Sequence, residues 1–372
     1  MFRFFSHIGS LIRILGLQKD ERRLVFYSEG KNYWVHLEGL IKETLSQSNI
    51  PVCYVSSSPD DPGLQLEHGN YKAFEIDDGF IRDWLFANID TEVMVMTMPD
   101  LHQYQVKKSQ HDVHYVYVQH SLVSLHMVYR PGAFDHYNTI FCAGPHHIKE
   151  MRAIEALYQL PEKRLVEHGY ARLDSIIEQH NRQPETERRT NAPKHILIAP
   201  SWGENGTLES GVGARIVDEL LSRGYQVTLR PHPQTTKFAR PQIDAILAKH
   251  GENVLFDFED NVAGQASLHS SDLMICDWSG AALDYALGLK KPVLFVDIPR
   301  KINDPEYLKL NIEPIESSIR DSIGMIVAAD FTTLPIEECL QVDNAAFAVD
   351  EIVFNVSASD KVGAGALLDL LR

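Results

Sequence analysis

Two histidines occupy positions from which a side chain can move a proton. The stretch YVYVQHSLVSLH, Tyr115 to His126, begins as a strand-like run. Alternate residues of a strand share a face, so His114, Val116, Val118 and His120 point one way. His120 stands where the run ends, and Ser121 and Ser124 follow it. An imidazole at the C-terminal end of a parallel strand can take or give a proton near neutrality. Alone, such a residue is more often a satisfied rim histidine.

A second histidine alters that balance. In YQVTLRPHPQ, Tyr225 to Gln234, His232 lies between Pro231 and Pro233, which fix the chain extended and remove two backbone donors. Arg230 precedes it by two residues and is expected on the same side, so that a cation and a proton donor face an anionic leaving group.

Two further segments suit phosphate. In ICDWSGAALDYALG the apolar run Leu273 to Cys276 leads to Asp277, Trp278, Ser279 and Gly280, then to a helix. Ser279 is a natural N-cap, and Gly280 lets a ligand approach the exposed N–H groups at the positive end of the helix dipole. Capped helices without ligands are common, so this segment is weak by itself. In ILIAPSWGENG, Ser201 and Trp202 open a glycine-rich strand-to-helix loop that is neither GxGxxG nor GxxxxGK[ST]. His111 with His114, and the adjacent His146 and His147, lack a nearby Cys or a HExxH pattern, so no metal site is expected. Neither is a serine triad, because GxSxG is absent. No cofactor is implied.

The elements that must position these residues alternate. Leu24–Ser28, Val52–Ser56, Val93–Thr97, Val113–Gln119 and Thr139–Cys142 read as strands, with helix-like stretches Trp34–Gln47 and Phe80–Ala87 between. The pattern restarts with strands at His195–Pro200, Gln226–Arg230, Val254–Phe258, Leu273–Cys276 and Val293–Val296, and with helices near Ala214–Ser222, Gln242–His250 and Ala281–Leu287. Such alternation implies parallel sheets covered by helices. The polar stretch Gln179–Pro193 is the best linker. The expected division is an amphipathic helix in residues 1–20, an acceptor domain in 21–180, a linker in 181–193, a nucleotide-donor domain in 194–350 and a helical segment in 351–372. In open α/β sheets, ligands bind beyond the strand C-termini.

Composition sets limits. The chain has 372 residues, which favours two cores, and a formal charge of −16, which argues against a nucleic-acid partner. No apolar run approaches the roughly 20 residues needed to cross a bilayer. Cys53, Cys142, Cys276 and Cys339 are scattered without a CxxC pair and read as reduced residues of a cytosolic protein. At the N-terminus Phe4, Ile8, Leu11, Ile12 and Leu15 recur at helical spacing among Arg3, His7 and Arg13. Both a core-packed helix and one lying on an anionic membrane surface fit that pattern.

Taken together, QHSLVSLH, GYARLD, APSW followed by RPHP, and SDLMICDWSGAALDYALGLKKPVLF resemble the CDP-glycerol glycerophosphotransferase family of teichoic acid and capsule polymer synthesis. The resemblance spans roughly Val116 to Val296. It implies a GT-B fold, two Rossmann-like domains facing across a cleft, with the nucleotide held mainly by the second. His120 and His232 match the two histidines implicated in catalysis there, Ser279 a serine at the donor phosphates, and Arg172 the arginine of a G-x-P-R-x-D motif. Departures are Ser121 for a glycine, Trp278 and Gly280 for a tyrosine and a serine, and Ala171 for a proline.

The resulting expectation is metal-independent transfer of glycerol phosphate, or a related alditol phosphate, from a CDP carrier to a hydroxyl of a surface glycan, lipid-linked or not. His120 and His232 would be catalytic. Arg230, Asp277, Ser279, Gly280, Ser201 and Trp202 would hold the donor, and Ser121, Ser124 and Arg172 would lie in the acceptor cleft. The enzyme is expected in the cytoplasm, with peripheral contact to the inner membrane face through residues 1–20. A nucleotide-sugar glycosyltransferase or epimerase, and a non-catalytic nucleotide-binding subunit, are the alternatives.

Overall fold

A computed structural model describes residues 2–104, 106–182, 192–260, 264–344 and 347–372. The linker expected at 181–193 falls almost wholly outside these residues. Among the described residues two parallel sheets account for every strand. The first holds β1 (Leu24–Ser28), β2 (Val52–Ser56), β3 (Tyr71–Glu75), β4 (Val93–Met96), β5 (His114–Val118), β6 (Thr139–Cys142) and β7 (Arg164–Glu167) in the order β3-β2-β1-β4-β5-β6-β7. The second holds β8 (His195–Ile198), β9 (Gln226–Leu229), β10 (Phe256–Phe258), β11 (Leu273–Cys276), β12 (Val293–Asp297) and β13 (Gly324–Ala328) in the order β10-β9-β8-β11-β12-β13. Each order reverses direction once, between β1 and β4 and between β8 and β11, which marks the switch point of a doubly wound sheet.

The central strands are apolar because helices cover both faces. β1, β2 and β4 are buried throughout, and Leu24 pairs with Val52 on one side and Val93 on the other. Three strands escape the sequence reading: β3, β7 and β13. All are edges, and β7, with sequence RLVE, has no fully buried residue. Charge on an edge blunts unwanted pairing and erases the apolar signature at the same time.

The chain forms two compact units. Unit 1 comprises Met1–Asp174, Asn303–Ile312 and Asp350–Arg372; unit 2 comprises Ser175–Ile302 and Glu313–Val349. The return to unit 1 is held by Asp174, whose carboxylate accepts from Ser357 N (2.6 Å), Ser359 N (3.1 Å) and Ser359 Oγ (2.5 Å), capping the helix Ser359–Leu370. That helix packs on Lys31–Gln47. The approach is close, since a Cβ on Gly363 would lie 2.7 Å from the His168 ring and 2.8 Å from Leu40.

The N-terminal helix, Phe2–Leu15, packs against β3 and the helix Phe80–Asn88, with Ile14 and Ser10 buried. Its outer side keeps Phe4, Phe5 and Ile12 exposed. Among the described residues no helix is long and apolar enough to cross a membrane. The four cysteines are buried and unpaired.

Candidate functional site

His120 lies two residues beyond β5 and is half-buried. Tyr33, His36, Tyr117 and Tyr129 surround its ring, with centroids 5.8, 6.2, 6.2 and 6.0 Å away and edge-on geometry. Its Nδ1 is 2.9 Å from the Tyr117 hydroxyl, and the Tyr170 hydroxyl donates to its carbonyl at 3.1 Å. Burial pulls the imidazole down to about 4, opposed by the Thr97 backbone, so the ring is neutral at pH 7.

The chain after His120 is clamped from the helix Pro145–Tyr158. His146 Nε2 donates to Leu122 O (2.9 Å), His147 Nε2 to Val123 O (2.9 Å), and Glu150 accepts from Leu125 N (2.6 Å). His147 Nδ1 accepts from Ala143 N at 3.2 Å, which requires a neutral ring. The adjacent histidines that the sequence offers as metal ligands thus hold a loop. Ser121 is half-buried and its Oγ accepts from Val123 N at 3.4 Å. Ser124 has no exposed surface, which removes it from direct contact with substrate. Arg172 is 8% exposed and lies near enough to His36 to lower its pKa, one ring away from His120.

In unit 2 His232 is extended, with φ −62° and ψ 144°, as expected between its prolines, but the chain does not stay extended beyond it. Pro233 starts the helix Pro233–Phe238, and His232 is its N-cap, Nδ1 accepting from Gln234 N at 3.1 Å. With Nδ1 occupied, the proton sits on Nε2. The ring stacks on Trp202 at 6.0 Å and 27°. Burial first, then the charge of Lys301, pulls His232 down to about 4.

Arg230 does not stand beside it. The Arg230 guanidinium is buried and donates to Gly264 O (3.4 Å) and Ser267 Oγ (3.3 Å). The cation next to His232 is Lys301, half-buried, with Nζ 4.3 Å from the Trp202 ring centroid. Burial pulls Lys301 down to about 8, against the opposing pull of Asp277 and Glu209. Nothing local in PRKIND announces this residue. Its position just past β12, at a strand C-terminus, was the available signal.

Asp277 also differs from expectation. It is 1% exposed, with Oδ1 accepting from Ser201 N (2.6 Å) and Trp278 N (2.6 Å) and Oδ2 from Thr207 N (3.3 Å) and Thr207 Oγ1 (2.7 Å). A carboxylate so occupied repels phosphate and instead fixes the Ser201–Thr207 loop, carrying Trp202 under His232. Ser201 itself is buried, its N–H spent on Asp277. Trp278 is fastened by Nε1 to Ile298 O (2.9 Å) and faced by Arg320 at 4.1 Å. The helix N-cap is Gly280 rather than Ser279, although Ser279 Oγ accepts from Ala281 N at 3.3 Å. Ser279, Gly280 and Ala281 are all half-exposed, so this helix end is open to an anion.

The fold is of the GT-B class: two doubly wound parallel sheets, shared with solved transferases and epimerases. The wall teichoic acid polymerase TagF, in a histidine-to-asparagine form soaked with CDPG, matches at TM-score 0.56 and 15% identity over 99% of this chain and 93% of that one. UDP-GlcNAc 2-epimerase from Methanocaldococcus jannaschii, in complex with UDP-GlcNAc and UDP, matches at 0.57 and 13% over 94% and 98%. The Neisseria meningitidis UDP-GlcNAc 2-epimerase bound to UDP-GlcNAc matches at 0.55 and 12% over 93% and 99%. No curated protein sequence matches the chain.

Residues 130–299 match the family model of CDP-Glycerol:Poly(glycerophosphate) glycerophosphotransferase. That match covers a little under half of the chain. The matched segment includes Arg172, Trp202, His232 and Ser279 and begins after His120.

Proposed function

We propose that the chain transfers an alditol phosphate, in the simplest case glycerol phosphate, from a CDP carrier to a hydroxyl of a surface glycan in teichoic-acid-like or capsule polymer synthesis. The observation that supports this reading best is the cluster of unit 2. A neutral imidazole with its proton on Nε2 stacks on Trp202, both within the segment that matches the family model, beside the half-buried Lys301 just past it.

In this reaction the acceptor oxygen attacks the phosphorus that carries the alditol, its proton passes to His120, and the bond to the CMP oxygen breaks. In the tautomer this reading requires, His120 donates its Nδ1 proton to the Tyr117 hydroxyl and keeps the Nε2 lone pair for the acceptor hydroxyl. On the donor side the His232 Nε2 proton and the Lys301 charge offset the negative charge growing on CMP, and the open helix end at Ser279–Ala281 binds phosphate. Asp277 and the Pro145–Tyr158 clamp are positioning groups. Transfer of this kind rests on placement and electrostatics and needs no covalent enzyme intermediate.

The reading places the enzyme in the cytoplasm, at the inner membrane face. Phe4, Phe5 and Ile12 are exposed on the first helix, and Phe80 and Trp84 on the helix it packs against, with Arg3 and Arg13 nearby in sequence. An apolar surface carrying cations suits an anionic leaflet. Co-sedimentation with anionic vesicles, lost on Phe5→Ser with Ile12→Ser, checks this contact.

The central test is CMP release from CDP-glycerol with a glycan acceptor. His120→Ala and His232→Ala are each expected to lose about 10²- to 10⁴-fold in turnover with the thermal transition retained; full activity in both refutes the assignment. A nucleotide-sugar reaction is the second reading, favoured by the epimerase folds. Radiolabelled phosphate decides between them, because only phosphotransfer moves it into the product.

A further inference from the structure

Unit 1 contains a cavity of about 540 Å³ that none of the assigned residues line. Its walls are Arg82, Met98, Pro99, Asp100, Tyr104 and Val106. Arg82 lies in the first turn of the helix Phe80–Asn88, and the other five follow β4. The cavity therefore opens beyond the C-terminal end of β4, at the β1/β4 switch point where doubly wound sheets hold ligands, and its volume is that of an ordinary ligand site.

Asp100 is held with φ +64°, a conformation that costs energy for a residue with a Cβ, and its Oδ1 is buried with no partner among the described residues. Glu29, the first residue after β1, is exposed at its edge, yet burial of its carboxyl raises it to about 7, with Arg82 opposing and Asp100 adding to the rise.

The charges decide what fits. Arg82 gives Nε and Nη2 to Asp83 at 3.0 and 2.9 Å, and Arg130 Nη1 stands 4.0 Å from Asp100 Oδ2. Both arginines at the cavity thus already face a carboxylate, and the Asp100 carboxyl lines it. A phosphate entering here finds both guanidiniums already answered and meets the Asp100 carboxyl. Hydroxyl groups meet the opposite: carboxylate oxygens that accept, and Tyr104, 57% exposed, whose face can cover a sugar ring.

We propose that this cavity seats the acceptor and that it takes an uncharged, hydroxyl-rich chain end, a sugar or alditol, in preference to one bearing a phosphodiester. The inference rests on the transferase reading above and adds to it the substrate class. Tyr33 connects the two places, its ring edge-on to His120 and its phenol within the field of Glu29. An acceptor anchored by its outer hydroxyls in the cavity presents its terminal hydroxyl toward the imidazole.

The test uses the full chain with CDP-glycerol as donor. Neutral acceptors (maltose, cellobiose, diacetylchitobiose and ribitol) are compared with a glycerol phosphate trimer. At least one neutral acceptor is expected to exceed the trimer in kcat/KM by about tenfold, a difference of about 1.4 kcal/mol. Tyr104→Ala should raise KM for that acceptor with the donor KM unchanged, and Glu29→Gln with Asp100→Asn should narrow the preference by helping the trimer. A wild-type preference for the trimer, or a ratio that none of these variants moves, overturns the inference and leaves the transferase reading standing. Failure to release CMP with any acceptor defeats that reading itself.

Discussion

Each unit places a histidine just beyond a parallel strand, β5 in one and β9 in the other, and the two are then treated differently. His120 sits among aromatic rings with its Nδ1 on a phenol, while His232 caps a helix with its Nδ1 on a backbone amide. The first arrangement leaves the tautomer to the Tyr117 hydroxyl, which can give or take a proton. The second fixes it, because an amide N–H only donates. A proton acceptor benefits from the first and a proton donor from the second. Both rings are neutral near pH 7 for the same cause, burial, so their difference lies in partners rather than in pKa.

The comparison breaks first at the two rings. His120→Gln, which keeps a hydrogen-bonding amide but no base, should fall nearly as far as His120→Ala in single-turnover rate, whereas His232→Gln, which keeps a donor, should recover about tenfold over His232→Ala. Equal recovery at both positions would erase the distinction.

Lys301→Ala should lower kcat about 10- to 100-fold, with Lys301→Arg partly restoring it. Since Lys301 titrates at about 8, its charge is present below that pH and lost above it. The alkaline limb of the wild-type pH–rate profile should accordingly shift upward in Lys301→Arg.

Smaller effects bear on stability. Asp277→Ala leaves the Ser201 and Trp278 N–H groups buried without their acceptor, a loss of roughly 2–4 kcal/mol, read as a lower denaturant midpoint. Gly363→Ala puts a methyl group against His168 and Leu40 and should cost about 1–3 kcal/mol.

Acid should act on both units. His168, buried against Phe141, is pulled to about 4, as are His120 and His232. Their pKa values are depressed in the folded chain, so the unfolded chain binds more protons between about 6.5 and about 4. Stability from these rings is complete above the upper value and is lost as pH falls toward the lower one. Thermal midpoints between pH 7 and 4.5 should follow that slope, and His168→Gln should flatten it.

Legibility follows the range of the interaction that decides each feature. Short continuous apolar runs flanked by helical spacing identify the central strands almost to the residue, with β1, β2, β6 and β11 matching at both ends, because burial on two faces favours apolar side chains along the whole strand. The same logic set His120 and His232 at strand ends. β3 (YKAFE) and β7 (RLVE) were not legible because an edge needs only one neighbour and tolerates charge; β13 (GMIVA) carries none and was missed as a short run opened by a glycine.

The roles of polar side chains were less readable still. Sequence could name Asp277 and Arg230, but their partners are fixed by contacts across tens of residues: Asp277 turned to the Ser201 and Thr207 amides, and Arg230 to Gly264 and Ser267. Lys301 became visible only when β12 carried it to Trp202. By itself the sequence determined the alternating α/β order and which strands lie at the centre, since both follow from local periodicity. The tertiary structure decided which charged groups meet and which are already answered, because a hydrogen bond or a field depends on distance in space and not on spacing along the chain.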